Sequence, residues 1–313
     1  MLPFLKQLRL IFLVTSGMCL GITLSAQHYV DLLRLTALQT PPNVFDSSDV
    51  SAPLREIVAD ATVPLRLNDR LNLLTGGIFH RIETRLDESQ PEVIKATDGL
   101  LKVGVNIKLN DWSNLTCMML PRYSGDGGAW SRKDLQLGAM AIYKLKKSPR
   151  LTWQFGAMYN GELFGPFFVP LLGFYTQSES LKWEANFFLP VSADLNYSVN
   201  YKFRLGIAFA SGVKSFYVNE AITTYRDLYW VKSTNEGYCY LQFEPIRGFV
   251  FQSRFGHSVA RKYTLYNASD RIDWALMSFK FGDDRTRLNT NFADGLIFQL
   301  RFIYRFYMGE KKR

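Results

Sequence analysis

Long apolar runs are missing from this sequence of 313 residues once its N-terminus is passed. A transmembrane helix needs about 20 consecutive, predominantly apolar residues, and no later segment supplies them. The mean hydropathy is only −0.07 although 47% of the residues are hydrophobic, so apolar and polar residues are finely mixed. A bundle of membrane-spanning helices is therefore excluded.

Cysteine and histidine are also scarce, with three residues of each. Cys117 and Cys239 stand among apolar neighbours in alternating segments, which predicts small buried or lipid-facing thiols and disfavours a disulfide or metal pair. His257 and Ser258 are the one pair that suggests a base beside a nucleophile. Neighbouring residues of a strand face opposite sides, so we expect a structural histidine there.

Motifs of catalysis and cofactor binding are missing too. The sequence has no phosphate loop, dinucleotide fingerprint, zinc spacing or nucleic-acid motif. Glu184 and Asp194 share a face, but on one strand they would stand roughly 33 Å apart at about 3.3 Å per residue. We therefore expect no enzymatic activity, no cofactor, no metal and no nucleic-acid partner.

Aromatic residues, in contrast, make up 15% of the chain, and many of them recur at every second position. In residues 295–307 one face carries Leu296, Phe298, Leu300, Phe302, Tyr304 and Phe306. Successive side chains of a strand point to opposite faces, so this pattern predicts a strand with one aromatic, apolar face and one charged face. Its length suits a tilted strand that crosses a bilayer. Closing a membrane barrel would also remove the exposed edge of so apolar a strand.

The same alternation predicts further strands along the chain, in residues 29–40, 53–67, 71–86, 101–109, 115–122, 135–145, 151–159, 201–209 and 249–255. Short turns alternate with longer loops, which is typical of outer-membrane barrels. We predict an all-β fold: an antiparallel transmembrane outer-membrane β-barrel of about 12 strands, with 10 to 14 compatible with the pattern.

Three segments are harder to place. In residues 181–197 the apolar side chains stay on odd-numbered positions on both sides of Pro190. This pattern predicts one long strand with its proline near a rim or bulge. Residues 87–99 are polar and predict an exposed loop. Residues 266–294 lack clean alternation, and we expect a loop resting in the lumen, a lid or an extra hairpin there.

The N-terminus reads as a signal peptide. Lys6 and Arg9 precede an apolar stretch over residues 10–24, and Ser25-Ala26-Gln27 follows. This order of basic, apolar and small residues predicts secretion and cleavage after Ala26. We therefore divide the chain into a signal peptide, residues 1–26, and one barrel domain, residues 27–313.

The polar face of the predicted strands carries more cations than anions. The candidate lumen-lining residues are Lys102, Lys144, Glu184, Asp194, Arg204, Glu244, Arg254, Arg301 and Arg305. A water-filled lumen with this bias would favour anions. Equally, ion-pair networks and packed side chains would fill a narrow, closed barrel.

Four short stretches carry a family resemblance: Asn160-Gly161, residues 164–173, Leu189-Pro190-Val191-Ser192 and Asn196-Tyr197. They resemble an uncharacterised family of outer-membrane β-barrels from Bacteroidota, defined only as a domain of unknown function. The resemblance covers essentially the whole mature chain. It implies the outer membrane of a Gram-negative bacterium and no known activity. Barrels of this kind commonly end on the aromatic residue of their last strand, whereas residues 308–313 extend past Tyr307 here.

The leading hypothesis is a non-enzymatic outer-membrane barrel, either a narrow porin-like channel for small polar or anionic solutes or a closed structural barrel. The net charge of +9 fits contact with outer-membrane lipid and lipopolysaccharide, and barrel-assembly machinery is the expected protein partner. Two alternatives stay open. One is an outer-membrane lipid-modifying enzyme, a hydrolase or acyltransferase. The other is a secreted soluble β-barrel, because periodicity does not say which face points outward.

Overall fold

The computed structural model describes residues 29–45, 49–88, 92–127, 131–218, 227–290 and 293–307. The signal peptide predicted for residues 1–26 and the extension at residues 308–313 lie outside the described residues. Fourteen strands form the wall of the fold. They are β1 (Tyr29–Gln39), β2 (Arg55–Arg66), β3 (Leu71–Thr84), β4 (Ile94–Asn110), β5 (Ser113–Gly125), β6 (Leu135–Ser148), β7 (Leu151–Glu162), β8 (Gly165–Gln177), β9 (Trp183–Leu189), β10 (Ser192–Ser198), β11 (Phe203–Val218), β12 (Leu228–Ile246), β13 (Phe249–Ser258) and β14 (Leu296–Tyr307).

These strands close into a barrel. Each strand pairs antiparallel with its successor in the chain. The last strand pairs with the first, from Tyr29↔Tyr307 to Gln39↔Phe298. The strand number of 14 corrects the prediction of about 12 and falls at the upper end of the predicted range.

The two ends of the barrel differ in the length of their connections. At one end, the short-turn end, the connections are residues 67–70, 111–112, 149–150, 178–182, 199–202 and 247–248. The opposite end, the long-loop end, carries residues 40–54, 85–93, 126–134 and 259–295, together with the short turn at residues 163–164 between β7 and β8. Tyr29 and Tyr307 lie together at the short-turn end.

The outer surface of the wall is apolar. On β14, Phe298 and Leu300 are 49% and 63% exposed, while Ile297 and Gln299 are buried. Aromatic pairs stand near the two ends of this surface, as Tyr159–Phe168 and Trp153–Phe174 do on β7 and β8. The apolar faces therefore point outward, which is the reverse of what a soluble barrel requires.

The wall contains one hairpin that reaches only half of its height. β9 and β10 have seven residues each, and their turn at Pro190 lies beside Leu172 of β8 and Ala210 of β11. The prediction of one long strand over residues 181–197 is therefore wrong. Phe188 pairs with Ser192, so three residues separate the partners. Odd-numbered side chains therefore point to the same face of the wall before and after the turn. The connections at residues 178–182 and 199–202 consequently lie at the same end.

Two neighbouring strands leave the wall above this hairpin. β11 has β10 as a neighbour only up to Ala210. Beyond that point β11 and β12 remain paired with each other and fold into the interior, where Tyr217 bridges to Gly125 of β5. We call residues 211–218 and 228–235 the inner hairpin. Residues Lys262–Asn267 pair with its second strand.

The segment over residues 266–294 contains an extra hairpin, one of the three expected arrangements. Its strands, Trp274–Leu276 and Phe279–Phe281, pair with each other, and the first runs parallel to β8. We call residues 272–282 the wall hairpin. The chain then returns across the long-loop end, where the side-chain amide of Asn289 donates to the carbonyl oxygens of Leu86 and Tyr263.

The predicted loop over residues 87–99 is shorter than expected. β4 begins at Ile94, so Asp98 belongs to the wall and is fully buried. The sequence gives no sign of this, because Lys95 and Asp98 are polar and interrupt the alternation.

Candidate functional site

A row of polar side chains crosses the inner wall in its long-loop half. Its members come from six consecutive strands, β2 to β7, and we call them the polar row: Glu56, His80, Asp98, Arg122, Gln136 and Glu162. Strand register places them side by side, since His80 pairs with Asp98 and Arg122 with Gln136. All six are buried.

The polar row is held together by charged contacts. His80 Nε2 lies 2.9 Å from Glu56 Oε2, and its Nδ1 lies 3.9 Å from Asp98 Oδ2. The Arg122 guanidinium donates from Nη2 to Glu162 Oε2 at 2.8 Å, and its Nε is 3.7 Å from Asp98 Oδ1. Hydrogen bonds to ionised groups are roughly twice as strong as neutral ones, so this row forms a firm docking surface.

The inner hairpin docks on the polar row. Lys214 Nζ donates to Asp98 Oδ2 at 2.6 Å, and the Lys232 ammonium donates to Glu56. The backbone N–H and the hydroxyl of Ser215 donate to Glu162 Oε2 at 2.8 and 2.6 Å. The hairpin thus crosses the interior and is tied to strands on its far side.

An apolar cluster seals the long-loop end above these contacts. Phe216 stacks on Trp230 with ring centroids 4.9 Å apart, and Tyr263 packs edge-on against Trp230. Leu86 of the connection between β3 and β4 and Ile94 of β4 complete the cluster. Apolar packing of this kind excludes water from the end of the barrel that carries the long loops.

The predicted lumen residues Glu184, Asp194, Arg204 and Arg254 point inward in the short-turn half. Arg204 Nη1 lies 3.6 Å from Glu184 Oε2, and Arg254 Nη2 lies 3.8 Å from Asp194 Oδ2. Both acids belong to the half-height hairpin, where Glu184 pairs with Asn196. They are therefore diagonal neighbours roughly 7–8 Å apart, which corrects the 33 Å expected for one strand.

Further predicted residues pair with acids or tyrosines that sequence reasoning missed. Arg305 Nε donates to Asp31 Oδ1 at 2.7 Å, and the Lys102 ammonium donates to Asp60. Glu244 accepts the hydroxyl of Tyr307 at 2.8–2.9 Å.

The lumen is also bridged at the short-turn end. The Tyr29 hydroxyl of β1 donates to Glu184 of β9, six strands away by the shorter way round. The Arg305 guanidinium lies over the Tyr29 ring at 3.7 Å. These contacts narrow the entrance beside the pairing of β1 with β14.

Two predicted cations have no ion-pair or hydrogen-bond partner within the described residues. Lys144 is one, and Arg301 is the other, with a buried Nε that lacks an acceptor. Arg301 sits between Thr36 and Gln252 on the neighbouring strands. Four of the six predicted cations are thus paired with acids, and the remaining positive charge rests on these two.

The candidate catalytic pair is split by the fold. His257 is exposed on the outer surface, whereas Ser258 is buried and its hydroxyl contacts the backbone of Gly295. The described chain contains no group of three or more metal-ligating side chains. No described helix has the length and hydropathy of a membrane span.

The docking of the inner hairpin on the polar row was missed because the partners lie far apart in sequence. Glu56 and Lys232 are separated by 176 positions, and Lys214 and Asp98 by 116. His80 is recognisable only as a histidine on a strand beside Arg81. The one signal in the sequence that indicates such a row is a charged residue at an inward-facing position in each of several strands.

A closed, 14-stranded antiparallel barrel with an apolar outer surface and a polar interior defines the class of transmembrane β-barrels. No family model matches the sequence, and no curated protein matches it. Among solved structures, the chain is similar to an outer-membrane channel from Pseudomonas putida F1, with 12% identity, a TM-score of 0.44 and coverage of 91% of this chain and 97% of that one.

Two further structures are similar at this level. The translocator domain of the autotransporter NalP from Neisseria meningitidis has 12% identity and a TM-score of 0.35, with coverage of 96% and 95%. The monoaromatic hydrocarbon channel TodX has 10% identity and a TM-score of 0.38, with coverage of 88% and 90%. Scores this low carry no argument about function, and the barrel assignment rests on the strand pairing itself.

Proposed function

We propose that this chain is a gated outer-membrane channel for small polar or anionic solutes, closed at rest by the inner hairpin. The observation that carries the proposal is the docking of Lys214, Ser215 and Lys232 on the polar row. Buried ion pairs are costly to desolvate, and apolar packing of the same volume is often equally stable. Their use between two separable elements favours a switch.

We also propose that this barrel lies in the outer membrane. The apolar outer surface and the short-turn asymmetry support an outer-membrane barrel, secreted through the signal peptide of residues 1–26. Lipid, lipopolysaccharide and the barrel-assembly machinery are its proposed partners, and an origin in Bacteroidota is the proposed source. The separation of His257 from Ser258 disfavours a hydrolase or acyltransferase.

Anion preference rests on the two cations that no acid neutralises. Arg301 and Lys144 face the interior among paired charges, so an open lumen would keep a positive excess at their level. Rings or patches of arginine and lysine select anions in pores. We therefore expect Arg301→Gln to lower the anion preference of an open channel.

The test is single-channel conductance in planar bilayers. The wild-type barrel should be largely silent. The double variant Lys214→Met/Lys232→Met should open in steady steps, because both ammonium groups that tie the inner hairpin to the wall are gone. Arg150→Ala is the matched control, since its partner Glu179 forms an exposed pair at a turn.

Insertion is checked separately by the heat-dependent shift of the folded barrel on a denaturing gel. A double variant that inserts and stays silent would contradict the gate and support a closed structural barrel. Steady conductance of the wild type equal to that of the variant would also contradict it.

A further inference from the structure

The barrel wall is interrupted in its long-loop half. β9 pairs with β8 only from Leu172 to Gln177, so residues 165–171 of β8 have no β9 partner over roughly 23 Å at about 3.3 Å per residue. The next strands, β11 and β12, have turned inward at this height. A continuous hydrogen-bonded wall blocks passage between lumen and membrane, and here that continuity is lost.

The wall hairpin covers the interruption with few contacts. It pairs with β8 only through Phe167↔Ala275 and Phe168↔Leu276, with a backbone hydrogen bond at each end, from Ile272 N–H to the Phe164 carbonyl and from Met277 N–H to the Phe168 carbonyl. The other edge, residues 279–281, pairs with no further strand in the described chain. An edge held so weakly opens at low cost.

The outer side of the wall hairpin is apolar. Trp274 stacks on Phe281 with ring centroids 4.1 Å apart, and Phe279 is 68% exposed. Phe168, its neighbour on β8, belongs to the aromatic pairs near the long-loop end of the outer surface. The hairpin therefore lies at the boundary between the hydrocarbon and the lipid headgroups.

The base of the wall hairpin is anchored far better than its tip. The Tyr229 hydroxyl donates to the Asp270 carbonyl at 2.6 Å, on the entering side. On the leaving side, Arg285 bonds Asp283 at 2.7 and 2.9 Å and lies 4.2 Å over the Tyr266 ring. A fixed base and a lightly held tip are the arrangement of a hinged flap.

The interior behind the wall hairpin is apolar. A cluster from β6, β7, β8 and the inner hairpin lines it, comprising Met140, Met158, Val169, Leu171, Val213 and Val231. Methionine and valine at this site contrast with Gln136 and Glu162 of the polar row, which lie on β6 and β7 nearer the long-loop end. Flexible methionines also suit a surface that adapts to an apolar guest.

We propose that the wall hairpin is a lateral gate, and that the apolar cluster behind it receives a hydrocarbon chain that arrives from the membrane. The occupant is a lipid acyl chain, because the hairpin opens at the membrane boundary and both its outer side and the cluster behind it are apolar. This role goes beyond passage along the barrel axis and does not depend on it.

The experiment uses the full barrel in phospholipid vesicles that contain a lipid with a photoreactive diazirine on its acyl chain. After irradiation, mass spectrometry should find label on inward residues such as Val169 and Val213 as well as on outward Leu172. Gln252, buried in the polar interior, is the internal control and should stay unlabelled. Label confined to outward residues would overturn the proposal.

A locked variant sharpens the result. Phe167→Cys/Ala275→Cys, with Cys117→Ala and Cys239→Ala, joins paired positions of β8 and the hairpin at a separation that suits a disulfide. Oxidation should abolish the interior label and leave the outward label unchanged, and reduction should restore it. Interior labelling that persists in the oxidised protein would contradict a lateral route.

A second variant does not need the disulfide. Trp274→Ala/Phe281→Ala removes the stacked pair and should raise the interior label, and an unchanged ratio of interior to outward label would count against the gate. None of these readouts is a conductance. Failure of the axial channel and failure of the lateral gate are therefore distinguishable.

Discussion

Arg122 contacts three other members of the polar row. Its guanidinium contacts Asp98, Glu162 and Gln136, on strands to either side of its own. Removing one partner of a buried ion pair leaves an uncompensated charge. The positive charge of Arg122 thus compensates the buried carboxylates of Asp98 and Glu162.

Arg122→Met should therefore lower the free energy of unfolding by about 3–5 kcal/mol. Arg150→Ala, which breaks an exposed pair, should cost only about 0–1 kcal/mol. Urea unfolding of the two variants in the same lipid, followed by tryptophan fluorescence, measures the difference. Equal losses would mean that the polar row contributes no more than a surface ion pair.

The partners of the predicted lumen residues were hidden by local irregularity. Asp31 lies at a bulge, where the register between β1 and β14 shifts between Asp31 and Leu33. A bulge moves one residue out of the alternating pattern, so parity assigns Asp31 no clear face. Arg305 could be placed on the polar face from sequence, whereas the acid that it binds could not.

At the scale of elements, the alternation of β14 predicted its two faces correctly, and the membrane hypothesis placed the apolar face outward. The same reasoning missed the half-height hairpin. Three residues separate the partners Phe188 and Ser192. When an odd number of residues separates two paired residues of a hairpin, their side chains point to the same face, as they also would in a straight strand. The alternation of side chains therefore cannot distinguish a hairpin from a straight strand. Pro190 marks the turn, but a proline at a bulge would give the same pattern.

The anchoring of the wall hairpin should depend on pH. Hydrogen bonds from Arg285, joined by its positive charge, hold the pKa of Asp283 below its usual range. A carboxyl whose pKa is lower in the folded than in the unfolded protein stabilises the fold at pH values above its unfolded-state pKa of about 3.9. This stabilisation is lost as the pH falls through the pKa of the folded protein.

Pepsin, which is active in acid, provides the measurement. Cleavage next to Phe279 and Phe281 in the solubilised barrel should rise as the pH is lowered from 5 to about 2, across the carboxyl range. Asp283→Asn should be cleaved readily at pH 5 already and respond less to acid. An identical pH profile for variant and wild type would show that Asp283 does not anchor the hairpin.

At the scale of the whole molecule, the outward apolar surface makes a prediction that needs no channel activity. Cys239 is free and exposed on that surface at mid-strand. In vesicles, an apolar maleimide should label Cys239 and a charged maleimide should not. Both should label it after unfolding in detergent and heat, and labelling of the vesicle sample by the charged reagent would contradict a membrane-embedded wall.

The pairing of β1 with β14 has a consequence for assembly. Most neighbouring strands in the wall are joined by short connections, whereas the seam brings Tyr29 to Tyr307. Closing a loop of that length costs about 3 kcal/mol more than closing one of ten residues. The seam is therefore expected to be the last part of the wall to form. Any factor that holds the two free edges together would set the rate at which this barrel matures.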